Sequence, residues 1–174
     1  MNKIIGILGG GQLAKMSLVE AAKLGFESPV LEKTPLSPAG KLTKREYIGW
    51  VDNPELFEKF IAECDVFTLE NEFIHPSYLR QIEQAGKKVF PSAETLEFIQ
   101  DKYIQKTTFK NAGLPVAKFC TVQSGEDYKN ISVKLGSKFL LKSRVMGYDG
   151  YGNAMVGDEE SYMNGVKHLS SRNS

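Results

Sequence analysis

The chain contains the segment Phe139-Leu140-Leu141-Lys142 and, after four further residues, the segment Gly147-Tyr148-Asp149-Gly150-Tyr151-Gly152-Asn153. The apolar run predicts a buried strand that ends at a lysine, and the three glycines predict a loop. Backbone N–H groups of such a loop can surround phosphate oxygens, and the lysine ammonium adds a positive charge. In a P-loop the lysine follows the glycines, whereas here it precedes them. This order therefore indicates a nucleoside triphosphate site on a different fold.

The composition is that of an ordinary globular protein. The chain has 174 residues, 41% of them hydrophobic, and a formal net charge of +1. No basic face is evident, so we expect no nucleic acid partner. The apolar stretches are too short for a membrane span or a signal peptide, and we therefore expect a cytoplasmic protein without a membrane partner. Cys64 and Cys120 lack a CxxC pattern, which predicts reduced, unreactive thiols.

Strand and helix patterns alternate along the first part of the chain. Apolar strand patterns cover 3–8, 28–31, 46–49, 65–69 and 88–90. Helical spacing covers 12–24, 54–62 and 76–85. Because strands that alternate with helices form parallel sheets with crossover connections, the sequence predicts an α/β fold with a Rossmann-like domain over 1–91.

A second region, over 92–174, begins after Pro91-Ser92. Its patterns predict helices over 95–99, 102–111, 126–135 and 158–169. They also predict strands over 118–122, 138–142 and 153–156. The last two strands flank the glycine-rich loop, so this region should carry the nucleotide site.

A first glycine turn, Gly9-Gly10-Gly11-Gln12-Leu13-Ala14, follows the first strand and opens the first helix. It fits G-x-G-x-x-[GA], and Glu32 ends the next strand, which is the layout of a dinucleotide site. This alternative predicts an NAD(P)-binding oxidoreductase domain. Two other interpretations stay open: glycines needed only for a tight turn, and an anion site for a substrate phosphate.

A pair of carboxylates ends the fourth predicted strand, in the segment Thr68-Leu69-Glu70-Asn71-Glu72. Ligands of open α/β sheets bind at the carboxyl edge, where this segment should lie. A site for an amine or a sugar hydroxyl would use one of the two carboxylates. Two solvated loop acids explain the segment equally well.

Together these segments resemble the ATP-grasp superfamily, and most closely its N5-carboxyaminoimidazole ribonucleotide synthases, the ATPase subunits of phosphoribosylaminoimidazole carboxylase. The matching stretches are 7–13, 68–72, Asp101-Lys102-Tyr103-Ile104-Gln105-Lys106 and 141–153. They occur in the order that the family has. The resemblance covers essentially the whole chain but only the N-terminal half of the family's usual length.

The resemblance implies a preATP-grasp domain over 1–91, followed by an incomplete ATP-grasp subdomain over 92–174. It implies a reaction in which ATP, bicarbonate and 5-aminoimidazole ribonucleotide give the N5-carboxylated ribonucleotide, ADP and phosphate, as a step of purine biosynthesis. Phosphoryl transfer of this kind depends on positioning and on Mg²⁺ that bridges phosphate oxygens. The family is commonly dimeric, which leaves a homodimer open.

The resemblance also assigns residues. Lys102 and Lys142 would contact the ATP phosphates. The flap over those phosphates would consist of Gly147, Tyr148, Asp149, Gly150, Tyr151, Gly152 and Asn153. The ribonucleotide pocket would be lined by Gly11, Gln12 and Leu13. Glu72 would face the ribonucleotide, with Glu70 as a second candidate.

Two departures from the family pattern bear on these expectations. Met146 replaces a glycine that is common before the G-Y-D-G element, which would stiffen the flap. The chain ends at Ser174, before the family's magnesium ligands and C-terminal lobe. We therefore expect no catalytic residue or metal ligand within this chain and no activity of the chain alone. Another ATP-grasp enzyme, such as a glycinamide ribonucleotide transformylase or a biotin carboxylase, and a noncatalytic remnant are the remaining alternatives.

Overall fold

The computed structural model describes residues 3–123, 125–147 and 152–170. Its internal contacts divide the chain into two units, one ending at Glu97 and the other beginning at Phe98. The sequence-based boundary after Pro91 lies slightly earlier. The difference arises because Ala93 and Leu96, both 1% exposed, pack into the core of the first unit.

The first unit is a five-stranded sheet with helices between its strands. Its elements are β1 (Ile5–Leu8), α1 (Gln12–Lys23), β2 (Val30–Glu32), β3 (Glu46–Ile48), α2 (Pro54–Glu63), β4 (Val66–Leu69), α3 (Pro76–Gln84), β5 (Lys88–Phe90) and the start of α4 (Ala93–Gln100). All strand pairs are parallel, in the order β3-β2-β1-β4-β5. The predicted Rossmann-like parallel sheet is confirmed.

The strand order places a switch point between β1 and β4. From β1 the chain continues to β2 and β3 on one side, and then returns to β4 and β5 on the other side. The loops that leave β1 and β4 therefore diverge and open a crevice at the carboxyl edge, which is where open α/β sheets bind ligands. The glycine turn follows β1, and the segment with Glu70 and Glu72 follows β4.

Both faces of the sheet are buried, as a parallel sheet requires. Ile7 faces α1 and Leu8 faces the helices on the other side, because successive side chains of a strand alternate. The larger core holds edge-to-face aromatic pairs between Phe60 and both Tyr47 and Phe67. Cys64 lies in this core, and burial raises the pKa of its thiol to about 12, so the thiol stays protonated at neutral pH.

Local sequence explains where the helices begin. Asn53 caps α2 by accepting the N–H of Leu56 at 3.2 Å, and Pro54 takes the first helical position, where no N–H is needed. In α5 (Lys102–Asn111), Asp101 caps the helix with two hydrogen bonds. Both caps were visible in the sequence as an Asn or Asp before a helical pattern.

The second unit is an antiparallel hairpin covered by helices. Its elements after α4 are α5, α6 (Tyr128–Leu135), β6 (Phe139–Lys142), β7 (Asn153–Val156) and α7 (Glu159–Ser170). The pairs Phe139–Val156 and Leu141–Ala154 alternate with Leu140–Met155 and Lys142–Asn153. The core consists of Ile131, Phe139, Leu141, Val156, Tyr162 and Leu169. The intervening side chains of Leu140, Lys142 and Met155 are exposed, so one hairpin face is packed and the other is open.

The strand predicted over 118–122 is wrong, because the structure has no strand there. Among the described residues, β6 and β7 pair only with each other. Phe119 instead packs edge-to-face on Tyr103 with ring centroids 5.5 Å apart, and Lys106 lies over the Phe119 ring. The apolar pattern thus reflects side chains that pack on α5 rather than a sheet.

Within the described residues, every helix is too short or too polar to span a membrane.

Candidate functional site

The glycine turn lies at the switch point of the first unit and is closed by two carboxylates of the chain itself. The N–H of Gly10 donates to Glu32 Oε2 at 2.8 Å. The N–H of Gly11 donates to Glu70 Oε2, also at 2.8 Å. Since Gly11 is the N-cap of α1 and offers no side-chain cap, Glu70 takes the place that an anion would occupy at this helix end.

Glycines are needed at positions 10 and 11 because the side chains of Glu32 and Glu70 lie directly against the backbone there. A Cβ on Gly11 would overlap the Glu70 carboxylate, lying 2.9 Å from its Cδ and its Oε2. A Cβ on Gly10 would lie 2.9 Å from Cβ and Cγ of Glu32. The fingerprint that suggested a dinucleotide is therefore accounted for by internal carboxylates that pack on bare backbone. Glu32 is engaged with the turn rather than placed as an unoccupied ribose acceptor.

A neighbouring loop, 36–40, is held against the turn. Its Ala39 N–H donates to Gly10 O at 2.8 Å. The carboxylate of Glu46 anchors the loop by accepting the hydroxyl of Ser37 at 2.7 Å and the N–H groups of Leu36 and Ser37, each at 3.1 Å. Burial acts to raise the pKa of Glu46, but these donors outweigh it, and the pKa is lowered.

The other ribonucleotide-site candidates are exposed at the same edge of the sheet. Gln12 and Leu13 begin α1 with solvent-exposed side chains, Leu13 at 58%. Glu72 is also exposed, whereas Glu70 is half-buried against the turn. The two carboxylates thus differ in setting: Glu70 is bound to backbone N–H, and Glu72 lies at the surface of the crevice edge. Their assignment to a ribonucleotide stays a prediction.

The second unit carries the nucleotide-site candidates. Lys142 ends β6 and pairs with Asn153 at the start of β7. The N–H of Ser143 donates to Gly152 O at 2.9 Å, which closes the base of the glycine-rich loop. The Lys142 side chain is exposed, and among the described residues its ammonium has no hydrogen-bond or ion-pair partner. Its ammonium is therefore available to an anionic ligand.

The loop base is tightly packed. A Cβ on Gly152 would lie 2.6 Å from Gly147 Cα, so the two backbone segments approach more closely than any side chain permits. Lys102 lies against the same point, with Nζ donating to Gly147 O at 3.1 Å. The structure thus brings Lys102, Gly147 and Gly152 together. Tyr148, Asp149, Gly150 and Tyr151 lie outside the described residues.

Sequence reasoning missed an ion pair beside Lys102. Arg144 Nη2 lies 2.5 Å from Asp101 Oδ2, and Arg144 Nε donates to the same carboxylate at 3.0 and 3.2 Å. The pKa of Asp101 is lowered: burial opposes this, and Arg144 and the N–H groups of Ile104 and Tyr103 outweigh it. Asp101 had a visible signal as a helix cap, but nothing in the sequence paired it with a residue 43 positions away.

The described residues 3–123, 125–147 and 152–170 contain no cluster of three or more His, Cys, Asp or Glu side chains that could hold a metal ion. Mg²⁺ was expected to find its protein ligands outside this chain, so that expectation stays a prediction. What the two units offer chemically is a carboxyl-edge crevice in one and a lysine-bearing glycine loop in the other.

Two family models match this chain. A ribonucleotide synthetase preATP-grasp domain covers residues 1–100, and an ATP-grasp domain covers residues 107–174. A curated relative, phosphoribosylaminoimidazole carboxylase of Ogataea methanolica, is 35% identical over 98% of this chain and 32% of its own length.

Solved structures agree with these matches. N5-carboxyaminoimidazole synthetase from Staphylococcus aureus, complexed with ADP, is 29% identical with a TM-score of 0.88, over 97% of this chain and 45% of that one. The Aspergillus clavatus N5-carboxyaminoimidazole synthase, in complex with ADP and 5-aminoimidazole ribonucleotide, is 26% identical with a TM-score of 0.80, over 97% and 44%. The chain thus spans about a third of the curated relative and less than half of each solved structure.

Proposed function

The chain belongs to the ribonucleotide synthetase preATP-grasp family, with an ATP-grasp segment after that domain. From this premise we propose that it acts as the N-terminal part of an N5-carboxyaminoimidazole ribonucleotide synthase. Its part is to bind ATP and 5-aminoimidazole ribonucleotide for the ATP-dependent carboxylation of the ribonucleotide by bicarbonate in purine biosynthesis.

The observation that carries the proposal is the end of the β6–β7 hairpin. Lys142 is exposed beside a loop whose base is closed by Ser143 and Gly152, and Lys102 reaches the same loop. Lysines beside freed backbone N–H groups bind phosphate oxygens as point charges. A dehydrogenase does not need this element. Relatives with the same fold have been solved with ADP, which is consistent with a nucleotide at this loop.

The ribonucleotide is assigned to the crevice at the carboxyl edge of the first unit. Gly11, Gln12 and Leu13 would line it, and Glu72 would accept hydrogen bonds from hydroxyl or amine groups. Support comes from the switch point, where such folds bind ligands, and from the relative solved with 5-aminoimidazole ribonucleotide. Glu70 is given a different role, as the carboxylate that holds the Gly11 N–H.

The chemistry proposed for the intact enzyme is phosphoryl transfer to bicarbonate, followed by attack of the ribonucleotide amine on the activated carbon. Lys102 and Lys142 would hold the phosphates and offset their charge. Bound with ATP, Mg²⁺ would bridge phosphate oxygens and neutralise part of their charge. No residue of this chain is assigned to Mg²⁺, because the described residues offer no ligand cluster for it.

The test is titration calorimetry of the 174-residue chain with a nonhydrolysable ATP analogue and Mg²⁺, and separately with 5-aminoimidazole ribonucleotide and NADH. The variant Lys142→Gln keeps most of the side-chain stem and removes the charge. The variant Lys167→Gln is the matched control, since Lys167 is an exposed lysine on α7 of the same unit.

We expect Lys142→Gln to weaken binding of the ATP analogue about tenfold or more, because hydrogen bonds to charged groups contribute roughly 1.5–3 kcal/mol. Lys167→Gln should leave the affinity unchanged. Equal loss in both variants would contradict a specific phosphate contact. Binding of NADH without any response to the ATP analogue would replace the proposal by the dinucleotide alternative.

A further inference from the structure

The backbones that carry Lys102 and Lys142 are joined at one point. The N–H of Lys102 donates to the carbonyl of Arg144 at 2.9 Å. Arg144 is only two residues beyond Lys142 in the chain, at the beginning of the glycine-rich loop. The distance between the two predicted phosphate-binding cations therefore depends on where Arg144 is held.

Arg144 is held by a carboxylate that is itself fixed. Asp101 Oδ1 accepts the N–H groups of Tyr103 and Ile104 at 2.8 and 3.1 Å as the cap of α5. Because rotation of this carboxylate would break the cap, it presents Oδ2 to Arg144 in one orientation. The guanidinium also lies over the Tyr103 ring, 5.3 Å from its centroid. Arg144 is thus constrained from two sides by the first turn of one helix.

The fixed geometry of the Asp101–Arg144 pair is not explained by a contribution to folding stability alone. The Arg144 side chain is 54% exposed and that of Asp101 15%, and an ion pair with one partner largely in water typically contributes little to folding. What a planar guanidinium adds is direction, because it binds a carboxylate through more than one N–H in a fixed arrangement. The Asp101–Arg144 pair is therefore better suited to positioning a neighbouring residue than to stabilising the second unit.

The neighbour that it places is the Lys102 ammonium. Lys102 Nζ donates to the carbonyl oxygen of Gly147, a neutral acceptor at 3.1 Å. A phosphate oxygen is a stronger partner for an ammonium than a carbonyl, since its negative charge adds a Coulomb attraction that the neutral carbonyl lacks. Lys102 is therefore held at the loop base in contact with a group that a phosphate can replace.

We propose that Asp101 and Arg144 are positioning residues of the nucleotide site, which fix the start of the glycine-rich loop to α5 and so set Lys102 and Lys142 for the same phosphates. The proposal rests on the function proposed above and adds two residues to it. Neither residue touches the nucleotide in this account. Each acts through the backbone of Arg144 and the side chain of Lys102.

The experiment is a double-mutant cycle on nucleotide affinity in the 174-residue chain. Arg144→Met keeps the stem and removes the guanidinium. Asp101→Ser keeps a good helix cap and removes the carboxylate, which separates capping from the ion pair. Arg80→Met is the matched control, because Arg80 forms an exposed pair with Glu97 at 2.8 Å in the other unit. Each protein is titrated with a nonhydrolysable ATP analogue and with AMP, which lacks the outer phosphates.

We expect Arg144→Met and Asp101→Ser each to raise the Kd for the ATP analogue about five- to tenfold, a range typical of coupled contacts, with no change for AMP. The double variant should bind no more weakly than either single variant, and Arg80→Met should bind as the parent does. Unchanged Kd values in both single variants would overturn the proposal. So would equal weakening for ATP analogue and AMP, or single effects that multiply in the double variant.

Amide hydrogen exchange without nucleotide separates this proposal from the proposed function. Arg144→Met should speed exchange at the Lys102 N–H at least about fivefold, because that N–H donates to Arg144 O, while Arg80→Met should not. If the parent chain binds no ATP analogue, the proposed function fails, and exchange alone decides the positioning role. Unchanged exchange at Lys102 would overturn the role even if nucleotide binds.

Discussion

The packing of Glu70 on the glycine turn leads to a quantitative prediction for Gly11→Ala. A Cβ at this position would overlap the Glu70 carboxylate, which must then leave the Gly11 N–H. Loss of a hydrogen bond to a charged group costs roughly 1.5–3 kcal/mol. Glu70 is only half-buried, so the lower end applies.

An opposing effect reduces this cost. Gly11 has φ −75°, which alanine adopts without strain. Replacing glycine at such a position stabilises a protein by about 0.4–1 kcal/mol through the unfolded chain. The net destabilisation of Gly11→Ala should therefore be about 1 kcal/mol.

The assay is a double-mutant cycle with Glu70→Ala, measured by urea unfolding. Trp50 is the single tryptophan of the chain and packs against the core of the first unit, so its fluorescence reports this unit. In the Glu70→Ala background the three atoms nearest to the new methyl group are gone, and Gly11→Ala should be neutral or slightly stabilising. The coupling free energy should be about 1–1.5 kcal/mol.

Two controls sharpen the test. Glu70→Gln keeps the overlap, so Gly11→Ala should remain destabilising in that background. Gly86→Ala, in the same unit as Trp50, places a Cβ where no heavy atom lies within 4 Å but at φ +75°, so its cost is backbone strain and should be the same in the parent and in the Glu70→Ala background. A coupling below about 0.5 kcal/mol would refute the argument, because independent sites are additive within that limit.

Two further predictions concern a strained residue and a titrating one. Met146 has φ +55°, a left-handed conformation that costs non-glycine residues about 1–2 kcal/mol. Glycine adopts this conformation without strain, so Met146→Gly should raise the free energy of unfolding by about 0.5–1 kcal/mol, as measured by thermal unfolding. Met146→Ala, which keeps the Cβ, should give no such gain. The second prediction concerns Glu46, whose pKa is lower in the folded state than in the unfolded chain. The ionised Glu46 therefore adds to the free energy of unfolding at pH values above its unfolded pKa of about 4.3. This addition is lost as the pH falls through the lower folded pKa. The stability difference between the parent and Glu46→Gln should therefore shrink as the pH falls below about 4.3, and a difference that does not change between pH 3 and pH 6 would count against this role.

The sheet was predictable because its signals are local. Each strand is a short apolar run bounded by turn residues, and alternation with helices leaves few topologies. The segment 118–122 shows the limit of this reasoning. Phe119 packs on Tyr103, and the periodicity of so short an apolar run does not distinguish a loop that packs on a helix from a strand.

The sequence located the candidate sites but not the contacts that their residues make. Lys142 beside a glycine loop is a pattern along the chain, so the sequence pointed to it. Glu70 on the Gly11 N–H joins residues 59 positions apart, and Asp101 with Arg144 joins residues 43 apart. Such contacts depend on side-chain conformations that only the folded backbone determines.

The two glycine segments differ in what a phosphate would have to replace. At Gly11 the resident partner is a carboxylate, so a phosphate there would exchange one anion for another at the same helix end. At Lys102 the resident partner is the neutral carbonyl of Gly147, so a phosphate would create a pair of opposite charges that Lys102 does not form with any residue the structure describes. The electrostatic gain is therefore larger at the second segment. This contrast is the physical reason to propose the triphosphate at the hairpin loop. It also explains why, in the proposed ribonucleotide site, Gly11 would line the pocket with its N–H already bound to Glu70, while the exposed Gln12 and Glu72 would meet the ligand.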